Sequence, residues 1–256
     1  MNRLPSGLML CEHSSESMHE IAAESVPLVI AGPLYFPDSV KGWLYGGDRS
    51  GMKPEEVRDM VLGYAQSLLP VFAECARVLR PGGHLVVQTR DVRVGGLVAD
   101  VESAHRGLAI RCGLEYRCRH FWVNRFHRPE RRGQEEKDRA EEGPMPRTPE
   151  VFLVFKKPGS AYLGEPLEGD ADLLNANFME TGSGSMKARH PYQAPLPVLN
   201  AFVRTYSRPG DTVVDPFAGC GTTALAALRS GRGCILYEID PEAVGMIRTN
   251  FAEEAE

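Results

Sequence analysis

Long apolar runs are missing from this sequence. None approaches the roughly 20 consecutive apolar residues that a membrane-spanning helix requires, so no membrane partner is expected. The opening MNRLPSGLMLCEHSSES has too short an apolar core for a secretory signal and no convincing cleavage site. Cysteine is sparse: of six residues, the closest two in sequence are Cys112 and Cys118. That spacing excludes a disulfide framework and a cysteine-paired metal knuckle. It leaves reduced thiols in a cytoplasmic protein, with no metal expected. A surplus of positive charge is lacking too. The chain carries 29 Lys and Arg against 34 Asp and Glu, a net charge of −5, which removes any chain-wide nucleic-acid signature. No internal repeat appears, so solenoid and propeller architectures are excluded.

What is present is the composition of a globular protein. The 256 residues, 43% of them hydrophobic, suit one domain of generous size or a core with a sizeable insert. GLMLCEH and VPLVIAG read as short buried strands, with SSESMHEIAAES between them as a serine-capped helix. KPEEVRDMVLGYAQSLLPVFAECARVL is a long helix by its apolar spacing, kinked or divided at Pro70 and stopped by RPGG. HLVVQTR is a strand, Gly95 to Gly113 a helix, and EYRCRHFWVNR and PEVFLVFKK are two further strands around a charged loop. Gly159 to Ala188 is weakly patterned; after it come a helix (LPVLNAFVRTYS), a strand (PGDTVVDP), a helix (ALAALRSG) and a strand (GCILYEID). Strands alternating with helices predict an α/β fold with a mostly parallel sheet, whose ligands sit at the carboxyl ends of its strands. Four such ends carry notable residues: Glu12-His13-Ser14, Gly32-Pro33-Leu34-Tyr35, Asp215 to Thr223, and Glu238. All four are expected on one rim.

The stretch VVDPFAGCGTTALAAL runs from an apolar strand through a glycine turn into a helix. Such a turn is a ligand cradle, because exposed backbone N–H groups and the helix dipole favour a polar or anionic group. A second feature is local charge. Arg117, Arg119, Arg125, Arg128, Arg131, Arg132, Lys137 and Arg139 are interleaved with His120, Phe121, Trp122, Phe126 and His127. Two readings stand for this segment: a surface that holds phosphates and stacks on bases, or a solvated loop diluted by Glu130, Glu135, Glu136, Glu141 and Glu142.

The motif DPFAGCGTT is similar to DPFxGSGTT, the cofactor loop of the amino-group DNA methyltransferases. Around it, HPYQAPLPVLNAFVRTYSRPGDTVVDPFAGCGTT, GCILYEIDPEAV and ARVLRPGGHLVVQTRDVR resemble further segments of that family, as does GLMLCEHSSESMHEIAAESVPLVIAGPLYFP upstream. The order of the matches is that of the permuted, beta-type class, whose catalytic half comes first. The resemblance implies a Rossmann-like S-adenosylmethionine-dependent methyltransferase fold in one domain over 1–256, with a catalytic half at 1–115, a variable substrate-recognition region at 116–188 and a cofactor half at 189–256. It implies S-adenosylmethionine as cofactor and double-stranded DNA with a flipped target base as partner, with a homodimer or a partner subunit left open. It also brings the restriction-modification setting of many relatives. Asp215 then suits the cofactor's ammonium, Phe217 walls the adenosine, Pro216 and Ala218 belong to the same cofactor-binding turn, and the Gly219, Cys220 and Gly221 backbone approaches the methionine end. Thr222 and Thr223 offer hydroxyls, Glu238 the ribose contact, and His13 an adenine contact.

Two positions depart from the family. Where relatives carry (Asp/Asn/Ser)-Pro-Pro-(Tyr/Phe), this chain has Gly32-Pro33-Leu34-Tyr35. Tyr35 keeps the ring that stacks on the flipped base, and Pro33 keeps the carbonyl that accepts from its amino group. Gly32 supplies no side-chain acceptor, a loss of several kcal/mol of transition-state stabilisation in principle. Glu12-His13 stands where relatives have Gly-Asp. The resemblance therefore implies methylation of an exocyclic amine in DNA, cytosine N4 ahead of adenine N6, with Trp122, Arg125, Arg128, Arg131 and Arg132 on the substrate. Two alternatives are a weakened, partner-dependent paralogue and an enzyme for RNA or another base.

Overall fold

Val26–Ala31 is apolar at all six positions and buried at all six, as a central strand covered on both faces must be. This strand, β2, follows β1 (Leu8–Cys11). The structure is a computed structural model, and it describes residues 4–33, 52–94, 97–123, 150–166, 170, 178–180 and 194–252. After β2 come helix α1 (Pro54–Val78), β3 (Leu79–Thr89), the short strands β4 (Val92–Val94) and β5 (Leu97–Ala99), and α2 (Val101–Arg111). Then follow β6 (Glu115–Val123), β7 (Glu150–Lys156), β8 (Phe178–Glu180), α3 (Leu196–Tyr206), β9 (Thr212–Asp215), α4 (Thr222–Arg229), β10 (Gly233–Tyr237) and α5 (Pro241–Phe251).

The described strands form an eight-stranded sheet in the order β1-β10-β9-β2-β3-β7-β6-β8 and a two-stranded ribbon of β4 and β5. In the large sheet, pairing among the described strands is parallel from β1 through β3 and between β6 and β8, and β7 runs against its two neighbours. The expected mostly parallel sheet is what the chain builds. Alternating side chains feed two cores. Val29, Ala31, Val214 and Tyr237 pack with α1 and α2 on one face. Leu28, Ile30, Val213 and Leu236 pack with α3, α4 and α5 on the other.

Several expectations are corrected. The segment Ser14 to Ser25 forms turns instead of a helix. Its carbonyls find partners on α1: Arg77 donates to Met18 O at 2.8 Å and to Ile21 O at 3.0 Å. The Met18 N–H goes to Glu74 at 2.7 Å, and Glu24 takes a left-handed φ of 57°. Non-local partners thus outcompete the local helical ones. Pro70 does not divide α1, which is continuous. A helix-interior proline costs about 3 kcal/mol. The burial of Leu68, Val71, Phe72 and Cys75 around it returns more, at about 1.5–3 kcal/mol per large apolar side chain.

RPGG lies inside β3, because Gly82 N–H and Gly83 O exchange hydrogen bonds with Lys157 at 3.1 and 2.9 Å and extend the ladder. The helix expected from Gly95 starts at Val101, capped by Asp100, whose carboxylate accepts from Ser103 N–H at 3.0 Å. β8, in the weakly patterned stretch, and α5, capped by Asp240 at 3.0 Å, went unread in the sequence.

Candidate active site

The carboxyl ends of β1, β10, β9 and β2 lie side by side because these four strands are parallel neighbours. Hydrogen bonds tie three of them together. Glu238 N–H reaches Cys11 O at 3.1 Å, and Ala218 N–H reaches Tyr237 O at 3.0 Å. The buried Ser15 hydroxyl donates to Pro216 O at 2.9 Å, linking the β1 loop to the turn after β9.

That turn, Asp215 to Gly221, is built for a cationic ligand group beside an open backbone. Asp215 is 5% exposed, and its carboxylate accepts from Phe217 N–H at 2.9 Å and from the Thr223 hydroxyl. Burial pushes its pKa up to about 6, the two hydrogen bonds oppose the rise, and the Glu238 charge adds to it. Gly219, at φ 53°, faces open space where a Cβ would stand, so a ligand can approach its main chain. Gly221 is required for packing as well as for its φ of 88°, since a Cβ there would lie 2.8 Å from the Phe251 ring. Thr222, Thr223 and Cys220 are buried at the start of α4, and the Cys220 carbonyl accepts from Asn250 at 2.9 Å. Phe217 is half-buried on the α1 face.

Glu238, half-buried, receives Gly219 N–H at 2.8 Å on one oxygen and the Ile239 and Asp240 N–H groups, each at 2.9 Å, on the other. A carboxylate has about four acceptor sites, so capacity remains for ligand hydroxyls. Beside it lies a cleft of about 360 Å³ lined by Glu12, Glu238, Ile239, Pro241, Val244, Gly245 and Arg248. Arg248 pairs with Glu12 across this wall. Ile239 is 66% exposed at the cleft, an apolar surface that suits a flat ring.

Expected site residues divide sharply. Asp215 to Thr223 and Glu238 come together as the sequence implied. His13 does not join them: Glu12 lines the cleft, whereas the His13 Nε2 binds Glu20 at 2.6 Å and its ring edge packs on Tyr237. The chain leaves β1 at Cys11 and bends at His13, which separates these neighbours. Trp122 is also corrected. It is 3% exposed in the core with Phe152, so its ring is not displayed for stacking on a base. Gly32 and Pro33 follow β2 at the rim, while Leu34, Tyr35, Arg125, Arg128, Arg131 and Arg132 lie outside the described residues.

Next to Gly32 the structure adds residues that sequence reasoning missed. A Cβ built on Gly32 would meet Gln88 Oε1 at 3.7 Å, an ordinary contact. The Gln88 Nε2 donates to Glu150 at 2.5 Å, and Glu150 pairs across the ladder with Trp122. Gly32, Gln88 and Glu150 therefore form a row over the ends of β2, β3 and β7. The only sequence signal for this row was a polar Gln at the end of an apolar strand.

A family model described as DNA methylase, of the N6/N4 class, matches residues 45–249. The DNA adenine methyltransferase YhdJ of Escherichia coli K12 is 46% identical over 57 residues, which is 22% of this chain and only 19% of that protein. Among solved structures, the putative DNA modification methylase TTHA0409 of Thermus thermophilus, in complex with S-adenosyl-L-methionine, superposes with a TM-score of 0.67 at 23% identity, covering 96% of this chain and 94% of that one. The cytosine-N4-specific PvuII DNA methyltransferase superposes with a TM-score of 0.74 at 19% identity, over 98% and 91% of the two chains.

Proposed function

The chain belongs to the N6/N4 DNA methylase family, and on that premise we propose that it transfers a methyl group from S-adenosylmethionine to an exocyclic amino group of a base in duplex DNA, cytosine N4 ahead of adenine N6. When bound, the cofactor supplies an electrophilic methyl on a sulfonium. The observation that carries the reading is the buried Asp215 carboxylate beside the open Gly219 main chain. A carboxylate held to about 6 by burial is poorly compensated, and the ammonium of an amino acid supplies the missing charge. Glu238 holds ribose hydroxyls, Ile239 walls the adenine, and the turn from Asp215 to Thr223 holds the methionine end.

The chain's task at the base is to present the amine with its lone pair toward the methyl and to accept its protons in hydrogen bonds. The Pro33 carbonyl takes one and Tyr35 stacks on the ring. Gln88 Oε1 takes the place of the acceptor that Gly32 lacks, since its amide is oriented by Glu150 and its oxygen lies toward Gly32. The N–C bond forms as the S–C bond breaks, and the displaced N–H proton leaves to solvent.

One observation favours a second reading, a paralogue that methylates only with a partner subunit: position 32 has no side chain. Digesting DNA from expressing cells to nucleosides and measuring them by mass spectrometry separates the two readings. N4-methylcytosine or N6-methyladenine from the chain alone supports the first, and their absence together with retained cofactor binding supports the second. In calorimetry Asp215→Ala weakens cofactor binding by at least about tenfold, or 1.4 kcal/mol; unchanged affinity removes the assignment of the turn.

A further inference from the structure

A second cluster of reactive side chains sits on the other face of the same rim. Cys11 closes β1 and is 7% exposed among the α1-face core residues. His13, two residues on, and Glu20 from the folded-back loop lie beside it, and His19 reaches Glu20 and the His13 ring. Cys11 Sγ, a His13 ring nitrogen and a Glu20 oxygen all lie within 4.8 Å of one another. His13 Nε2 and His19 Nε2 approach the same Glu20 Oε1, at 2.6 and 3.3 Å. The two imidazoles stack with centroids 5.5 Å apart and planes 18° from parallel. Among the described residues, no lysine or arginine pairs with Glu20.

The surroundings orient these donors as metal ligands are oriented. His13 Nδ1 lies 3.1 Å from Ser14 O, which fixes the proton there and directs Nε2 into the cluster. The Tyr237 hydroxyl donates to Glu20 Oε2 at 2.9 Å, which directs Oε1 inward. Thiolate, imidazole and carboxylate within one small sphere match the donor preferences of Zn²⁺. Without a metal, the His13 and His19 Nε2 atoms face Glu20 Oε1. A divalent ion would take the place of the thiol proton and of any ring proton between the imidazole and Glu20, releasing them to solvent.

We propose that Cys11, His13 and Glu20, with His19 stacked on His13 beside them, form a zinc-type metal site that staples the loop after β1 to the sheet. Its place gives His13 a task at the position where the family resemblance has Asp. The ion would sit behind Glu12 of the cleft, and Ser15 of the same loop binds Pro216 of the Asp215 turn. The site holds the rim's scaffold and stands apart from the transfer step.

The test uses the full chain, stripped of metal by a chelator and titrated with ZnCl2 against a chromophoric competitor. One tight equivalent is expected, and CoCl2 in its place gives a thiolate-to-cobalt charge-transfer band in the near ultraviolet. Cys11→Ser abolishes that band, and His13→Gln and Glu20→Gln each weaken zinc binding by about 100-fold or more. Cys112→Ser and Cys118→Ser leave both unchanged. Thermal melting of each metal-free variant, matched to the metal-free parent, separates ligand loss from unfolding. Absence of a tight equivalent, or a cobalt band that survives Cys11→Ser in a folded protein, overturns the site. Neither result touches the cofactor assignment, which calorimetry reads separately.

Discussion

At the scale of single residues, Gly32 and Asp215 carry the most consequence. Glycine at 32 is demanded neither by its backbone, whose φ is not positive, nor by space, since a Cβ meets only an ordinary contact among the described residues. If Gln88 stands in for the missing acceptor, Gln88→Leu lowers methylation kcat/KM by about 100-fold or more, the cost of removing one positioned polar group. Cofactor affinity stays unchanged. Adding Gly32→Ser to Gln88→Leu restores a large part of the rate, because serine brings the acceptor back at the same spot. Wild-type turnover in a folded Gln88→Leu protein would remove Gln88 from the site.

Asp215 gives a pH signature with a definite sign. Its folded pKa of about 6 lies above the ordinary 3.8, so its protonation favours the ligand-free fold at low pH. That support is lost as pH rises through about 6, and it amounts to about 3 kcal/mol for a rise of about two units. A bound ammonium replaces the proton. The cofactor-induced rise in Tm should therefore grow between about pH 5 and pH 7.5, and affinity should fall up to tenfold per unit below about pH 6. In Asp215→Asn both dependences flatten. Parallel pH profiles for the two proteins would refute the role.

At the scale of elements, α1 and the loop after β1 act as one unit. Glu74 and Arg77 hold the loop's backbone at Met18 and Ile21, and their own ion pair at 2.6 Å fixes both side chains. Pro70 is a flaw in this helix that the packing tolerates. It is exposed, so its ring contributes little to the core. Pro70→Ala returns a backbone N–H and relieves the ring's clash with the preceding turn, and should raise stability by roughly 1–3 kcal/mol. Urea unfolding monitored by circular dichroism measures this. A lower midpoint would mean that proline's restriction of the unfolded chain counts for more than its helical cost.

At the scale of the molecule, the net charge of −5 means that a DNA partner must be held by local charge. Arg125, Arg128, Arg131 and Arg132, on the chain after β6, are the residues we assign to the phosphates. Replacing all four by Gln should weaken duplex binding and lower the slope of log K against log salt by up to about four; an unchanged slope returns them to solvent. The sequence alone determined the strands β2, β9 and β10, the helix after the glycine turn and the turn's own residues. In each of these the decisive chemistry is local: continuous apolar runs, a glycine pair, and hydroxyls at a helix start. Only the tertiary structure decided what depends on distant partners. Arg77 and Glu74 turned a helix-like segment into a loop, pairing with β7 drew RPGG into a strand, and packing against Phe152 turned Trp122 inward. The bend after β1 left Glu12 on the cleft and turned His13 to Glu20. Parallel register set Gln88 beside Gly32. Cys11, His13 and Glu20 met because a loop folded back, and no periodicity in a sequence encodes where a loop returns.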